Sequence, residues 1–372
     1  MAVISLDQMA ENGDDIECIA FFKTVYEVFQ KIVKAFDGSI DHFYNIGGRT
    51  VCLRFAGSSL IPYLTPALNH LATKPTSTSA LTICIWDQAS TSIPFPLTDF
   101  IHSLYTASEQ HLVDGRGELK HYNNERFRTA FNLGSHALSL LDTKQNVAFY
   151  WLNNEPSQLP YYERGAPLRT ILHWSLNDKT HQFVHAGAVG LATGGVLLTG
   201  KSGSGKSTTA LACLNSKLSY ACDDICLIAT ESIPYVYSLY NTAKLKSIED
   251  LQRFPHLVPH TSNADRLDTE KAIIFMDKHY HEKIITGFPI QAILLPHISK
   301  QTNTNLKTAT AGAALIALAP NTILTIPGAG QIVLQTLAKF VRQVPCYVLE
   351  VGSDLSQIPE VILRLLSPPP IQ

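Results

Sequence analysis

Gly200-Lys201-Ser202-Gly203-Ser204-Gly205-Lys206-Ser207 fits the pattern G-x-x-x-x-G-K-[ST] at every constrained position, and nothing else in the chain limits its fold as much. The octapeptide follows the apolar run Val196-Leu197-Leu198 and precedes Thr208–Leu214, whose composition suits a helix. Strand, glycine loop and helix in that order open an α/β layer, so the second half of the chain is expected to be α/β. Gly200, Gly203 and Gly205 answer to the need to turn backbone N–H groups inward around an anion, with torsions at which a side chain would clash. The helix that starts at Lys206 adds N–H donors without intrahelical partners, and the Lys206 ammonium can reach the β- and γ-phosphates of a nucleotide. Ser207 offers a hydroxyl to magnesium. Gly200–Ser207, with Thr208 behind them, are therefore the expected site for ATP and Mg2+.

The rest of the chain divides around this motif. Phe22, Val25, Tyr26, Phe29, Ile32, Val33 and Phe36 recur at helical spacing, which predicts an amphipathic helix over 16–36, ended by Gly38. Thr50–Phe55, Leu81–Trp86 and Val147–Leu152 are short, rich in β-branched and apolar residues, and are expected to be strands. They make up an N-terminal α+β module over 1–162, in which no catalytic constellation is visible. A polar stretch with Asn153, Asn154, Pro156 and Pro160 leads to a boundary near Tyr162. Over 163–372 the expected order is a helix opened by Pro167, a strand Gln182–Val189, a strand Gly195–Thr199, the glycine loop, a helix Lys206–Leu214, and a strand Leu218–Cys222. Further helices and strands follow. Ala309–Ile326 reads as a buried helix followed by a strand over Thr322–Ile326, rather than as a membrane span, because Thr310, Pro320, Asn321 and Thr322 interrupt it.

Composition removes several classes of partner. Of 372 residues 45% are apolar and 16% charged, with a formal net charge of −2. That leaves no basic surplus for a nucleic-acid backbone or an anionic membrane. The N-terminal MAVISLDQMAENGDD carries acids where a signal peptide would be basic, and the seven cysteines, mostly inside apolar runs, read as buried thiols. A cytoplasmic location is expected. Cys222 and Cys226 lack a second Cys or His pair, so no zinc site is expected.

The acidic pair Asp223-Asp224 lies 16 residues after Ser207, at the end of a short strand. Two carboxylates beside bound phosphates can divide the work, one holding magnesium and the other taking a proton from an incoming hydroxyl. An ordinary turn would also place Asp-Asp after a strand. His185, Gly200–Ser207, the helix after them and Tyr220-Ala221-Cys222-Asp223-Asp224 resemble the HPr kinase/phosphorylase family over residues 164–230. That resemblance opens at Arg164-Gly165-Ala166-Pro167-Leu168-Arg169, and it is closer to the family's relatives in bacterial biosynthetic clusters, such as the kinases of lasso-peptide precursors. It implies a P-loop kinase core of the HPr kinase and phosphoenolpyruvate carboxykinase type. It also implies that His185, 15 residues before Gly200, stands near the transferred phosphoryl group. One of Asp223 and Asp224 would be the base and the other, with Ser207, the metal ligand. Cys222 departs from the family's usual glycine or alanine. The stretch used to reverse the reaction is not recognisable after Asp224, so neither phosphorolysis nor HPr as substrate is expected.

The expected activity is an ATP-dependent serine or threonine kinase of a peptide or small protein, with the N-terminal module as a surface for that substrate or for a second subunit in a homo-oligomer. A kinase of a small-molecule alcohol and a non-catalytic ATP-binding regulator are the alternatives. Lys271 and Arg266 are candidate phosphate clamps. His279 and His281 read as part of a solvated loop, and Pro327-Gly328-Ala329-Gly330 as a turn into a helix over Ile332–Phe340.

Overall fold

The computed structural model describes residues 13–96, 117–119, 122–324 and 330–367. They form two compact units. The first takes in the chain up to Thr65, Ala72–Arg164 and Leu168–Ser175; the second takes in Pro66–Leu71, Gly165–Pro167 and the chain from Leu176 onward.

In the first unit the helix runs over Gly13–Ala35. Phe22, Val25, Phe29 and Ile32 are buried, as their spacing requires, but Phe36 lies beyond the helix and is 42% exposed. The helix ends in a paired-bond motif: Gly38 N–H donates to Val33 O and Asp37 N–H to Lys34 O. Asp37, not the glycine expected to stop the helix, takes the left-handed conformation at φ +55°, and Gly38 follows at φ +133°. The strands are β1 (Ile40–Ile46), β2 (Arg49–Phe55), β3 (Leu81–Asp87), β4 (Phe127–Asn132), β5 (Ala137–Asp142) and β6 (Val147–Leu152). They form one sheet in the order β1-β2-β3-β6-β5-β4. β3 runs parallel to β2 and β6, and the other pairs are antiparallel. Phe29, Trp86, Phe127, Phe149 and Trp151 fill the space between helix and sheet.

The second unit holds β7 (His181–Val184), β8 (Gly187–Leu191), β9 (Gly194–Leu198), β10 (Ser219–Cys222), β11 (Cys226–Ala229), β12 (Tyr235–Ser238), β13 (Thr242–Leu245), β14 (Ala272–Phe275), β15 (Gly287–Ile298), β16 (Asn305–Ala309) and β17 (Cys346–Val351). Among the described residues nine of these form a mixed sheet along β10-β8-β9-β15-β12-β11-β7, with β17 and β16 added beside β15. β13 and β14 pair separately. The glycine loop leaves the end of β9, and the helix after it, Lys206–Ala212, lays Ala210 and Leu211 against Val196, Leu198 and Leu294 of the sheet.

Three expectations are corrected. The run Gln182–Val189 is not one strand: it breaks at His185 and Ala186 into β7 and β8. Ala311–Leu324 is helical through Thr322–Leu324, where a strand was expected, and it is not buried all round, since Ile316 is 76% and Leu324 69% exposed. Within this helix the Thr322 hydroxyl donates back to Leu318 O, and Asn321 Nδ2 donates to Gly200 O, so neither side chain caps a turn. The remainder of that expected strand, Pro327–Ala329 and the tail Pro368–Pro370 lie outside the described residues, while the following helix spans Gln331–Gln343. The helix expected to reach Leu214 ends at Ala212, and Cys213 and Leu214 N–H close onto Ala210 and Leu211 O in a tighter turn. Among the described residues no helix is long and apolar enough to cross a membrane.

Candidate functional site

The loop after β9 is anchored where Thr199 N–H donates to Leu294 O of β15 at 2.9 Å. Gly200, Gly203 and Gly205 have φ of +152°, +80° and +108°, torsions that other residues enter only with strain. At Gly200 a Cβ would in addition stand 2.6 Å from Ser204 Oγ, whereas at Gly203 it would meet nothing within 4 Å. Gly203 is thus required by torsion alone, and the space beside it is open. Lys201, Ser202 and Gly203 are exposed, and Lys206 is buried. The Lys206 ammonium donates to Gly200 O at 2.7 Å and to Lys201 O at 3.3 Å, so it stands over the mouth of the loop. Burial lowers its pKa, against the nearby charges of Asp223 and Asp224. Ser207 and Thr208 continue into the helix behind the loop.

The aspartates and the histidine meet through strand register. β7 pairs with β11 so that Val184 faces Cys226, and β8 pairs with β10 so that Ala188 faces Cys222. Beyond the register shift between Tyr220 and Cys222, these two antiparallel pairs share one register, which sets Gly187 opposite Asp223 and the break at 185–186 opposite Asp224 and Ile225. His185 Nε2 lies 3.3 Å from Asp224 Oδ1 as a result. Gly187 makes this close approach feasible, because a Cβ there would stand 3.2 Å from Asp223 O. His185 N–H donates to Thr322 Oγ1 at 3.1 Å, which fixes the bend to the helix Ala311–Leu324. The neighbouring Asn321 Nδ2 donates to Gly200 O at 3.1 Å, so adjacent residues of one helix hold the histidine segment and the glycine loop. Replacing Thr322 by Val keeps the shape and removes the acceptor. We expect a loss of about 1–2 kcal/mol in urea unfolding, the cost of an unpaired buried N–H, together with slower turnover.

The two carboxylates differ sharply. Asp223 is 2% exposed; its Oδ2 accepts the Lys244 N–H at 3.1 Å, while its buried Oδ1 has no protein hydrogen-bond partner. Burial first, and then the charge of Asp224, push its pKa up to about 6 against the opposing pull of the Lys244 N–H, Ser207 and Lys206. Burial acts on Asp224 in the same direction, but the Lys244 ammonium at 2.7 Å and His185 outweigh it and hold this carboxyl well below the usual range. The imidazole of His185 is itself held below its ordinary pKa, by burial first and then, against Asp224, by the charges of Lys206, Lys244 and Lys271.

Of the residues singled out in the sequence, Gly200–Ser207, His185, Asp223 and Asp224 are thus gathered at one place, and the charge of Lys271 acts on three of them. Arg266 instead pairs with Glu270 and Asp265. His281 Nδ1 lies 2.7 Å from Asp277 Oδ1, and the His279 ring stacks on His260. All seven cysteines are buried free thiols. Lys244, Asn321 and Thr322 were missed. The only signal for Lys244 is a lysine between Ala243 and Leu245 in a strand, which demands a counter-charge but does not name one.

A cation at this place is suited by Asp223 Oδ1, which is buried and unpartnered, and by the Ser207 hydroxyl beside it. No group of three or more His, Cys, Asp or Glu among the described residues could hold a metal unaided. Magnesium needs no such group, since it is commonly held by one or two carboxylates, water and phosphate oxygens.

No family model and no curated protein matches this chain. Among solved structures, the Hpr(Ser) kinase/phosphatase from Coxiella burnetii is similar over 49% of this chain and 94% of its own, with 16% sequence identity and a TM-score of 0.29. A likeness of that size carries no argument about chemistry.

Proposed function

We infer that this chain transfers the terminal phosphoryl group of magnesium-bound ATP to a hydroxyl, and that the acceptor is a serine or threonine of a peptide or small protein. One observation carries the reading: a glycine-built anion loop with a buried lysine faces a carboxylate that has an oxygen to spare and a second carboxylate paired with histidine. The loop backbone and Lys206 would hold the β- and γ-phosphates, with Lys206 neutralising charge as the bond to the leaving oxygen breaks. Ser207 and Asp223 would hold magnesium, which supplies further neutralisation of phosphate charge. His185 and Asp224 form the base side. With Nε2 turned to Asp224, the other ring nitrogen is left to accept the proton of the incoming hydroxyl. A protein that only binds nucleotide has no use for such a pair.

The peptide acceptor is supported by the division of the chain. Every site residue belongs to the second unit, while the first has its own sheet and core. A small alcohol needs only a pocket, whereas a longer substrate gains from remote binding surface that places one hydroxyl in line with the phosphoryl group. The test is mass spectrometry of peptide and metabolite panels incubated with the protein and magnesium-ATP. A phosphate on a peptide serine or threonine, absent with Asp224→Asn, is expected. Phosphate on a metabolite alone would end the peptide reading and keep phosphoryl transfer; nucleotide binding with no transfer would leave a regulator.

A further inference from the structure

Lys244 hydrogen-bonds to both aspartates. Its main-chain N–H takes Oδ2 of Asp223 at 3.1 Å, and its ammonium takes Oδ2 of Asp224 at 2.7 Å. The side chain is only 8% exposed, against 29% for Asp224, so the pair is largely screened from water. It reaches that position past Gly165, where a Cβ would stand 2.8 Å from Lys244 Cε and 3.2 Å from Thr242 Cγ2. The strand β13 that carries Lys244 is held in place by the Tyr220 hydroxyl, which donates to Thr242 O at 3.0 Å. Two adjacent carboxylates facing one cation would otherwise be equivalent ligands. Here one has an oxygen free and the other is neutralised by a buried ammonium.

Resting on the reading of this site as one for magnesium-ATP, we propose that Lys244 is the positioning residue that divides the two aspartates, leaving Asp223 to the cation and keeping Asp224 turned to His185. Its effect is on where two carboxylates point and on how strongly the site draws a cation. Without the ammonium the site is one charge more negative, and Asp224 is free to swing toward the metal. Cation binding should then tighten while the transfer step slows. A residue that merely supports the fold would weaken both together.

The experiment follows hydrolysis of ATP to ADP and inorganic phosphate, with water taking the phosphoryl group, at varied Mg2+, and calorimetric Mg2+ binding beside a non-hydrolysable ATP analogue, for the full chain and three variants. Lys244→Met is expected to slow ADP release at least 30-fold while the half-saturating Mg2+ falls at least threefold. Lys244→Arg, which keeps the charge, should recover much of the rate and the wild-type Mg2+ requirement. Gly165→Ala covers the case in which Lys244→Met does not fold. Its methyl displaces the lysine without changing the charge, and it should slow ADP release by a smaller factor. A wild-type rate in Lys244→Met, or a slower rate with a higher Mg2+ requirement in both Lys244→Met and Gly165→Ala, would overturn the proposal. Wild-type protein that neither binds a non-hydrolysable ATP analogue with Mg2+ nor releases ADP would fail at the earlier step, and the role of Lys244 falls with the site.

Discussion

Lys206→Ala is expected to lower phosphoryl transfer by about 10²–10³-fold while the protein stays folded. The ammonium is the cation set over the loop, and its removal leaves the torsions at Gly200, Gly203 and Gly205 untouched. Stability should change by only about 1 kcal/mol, because two carbonyl bonds are lost but a buried charge is lost with them. Paired measurements of ADP release and thermal unfolding separate the two effects. A wild-type rate in the variant would mean that the glycine loop does not hold the transferred phosphate.

The adjacent aspartates should respond to the same substitution with opposite changes in stability. The folded-state pKa of Asp223 is raised from 3.8 to about 6. The folded protein therefore holds that proton more tightly than the unfolded chain does, and its ionisation costs stability progressively as pH rises from about 4 to 6. Asn cannot ionise, so Asp223→Asn should be more stable than wild type above pH 6, on the order of 2 kcal/mol, with the gain vanishing below about pH 4. Asp224 has the reverse sign. Its folded pKa is depressed, so its contribution is present above the unfolded value and is lost only in strong acid. Asp224→Asn strands the Lys244 ammonium and should cost ~2 kcal/mol at neutral pH. Both variants should lose phosphoryl transfer. Urea unfolding at pH 5 and pH 8 reads the two signs, and shifts in the same direction would contradict the burial and pairing assigned to these carboxylates.

A truncation that separates the two units cannot be made at one point in the sequence. Pro66–Leu71 lies within the N-terminal third yet belongs to the second unit. There Asn241 donates its main-chain N–H to Ala67 O and its Nδ2 to Pro66 O, each at 2.9 Å, and His70 Nε2 lies 2.7 Å from Ser238 Oγ. Removing residues 1–160 would strip those partners from Ser238 and Asn241, just ahead of the strand that carries Lys244. A boundary drawn from composition near Tyr162 cannot see this, because burial of a short segment depends on residues 170 positions away.

Local chemistry is what the sequence by itself determined. The loop torsions at Gly200, Gly203 and Gly205, the α/β order around them, the amphipathic helix with Phe22, Val25, Phe29 and Ile32, and the strands β2, β3 and β6 follow from spacing of one to four residues, where a side chain and the backbone next to it decide the outcome. Only the tertiary structure decided which charges meet. His185 reaches Asp224 because two ladders share a register, Thr322 and Asn321 serve the site because their helix packs beside it, and Lys244 divides the carboxylates from a strand 20 residues downstream. Electrostatic and hydrogen-bond energies depend on separation in space and on the water excluded from between the groups, and neither quantity is written in the spacing of residues along a chain.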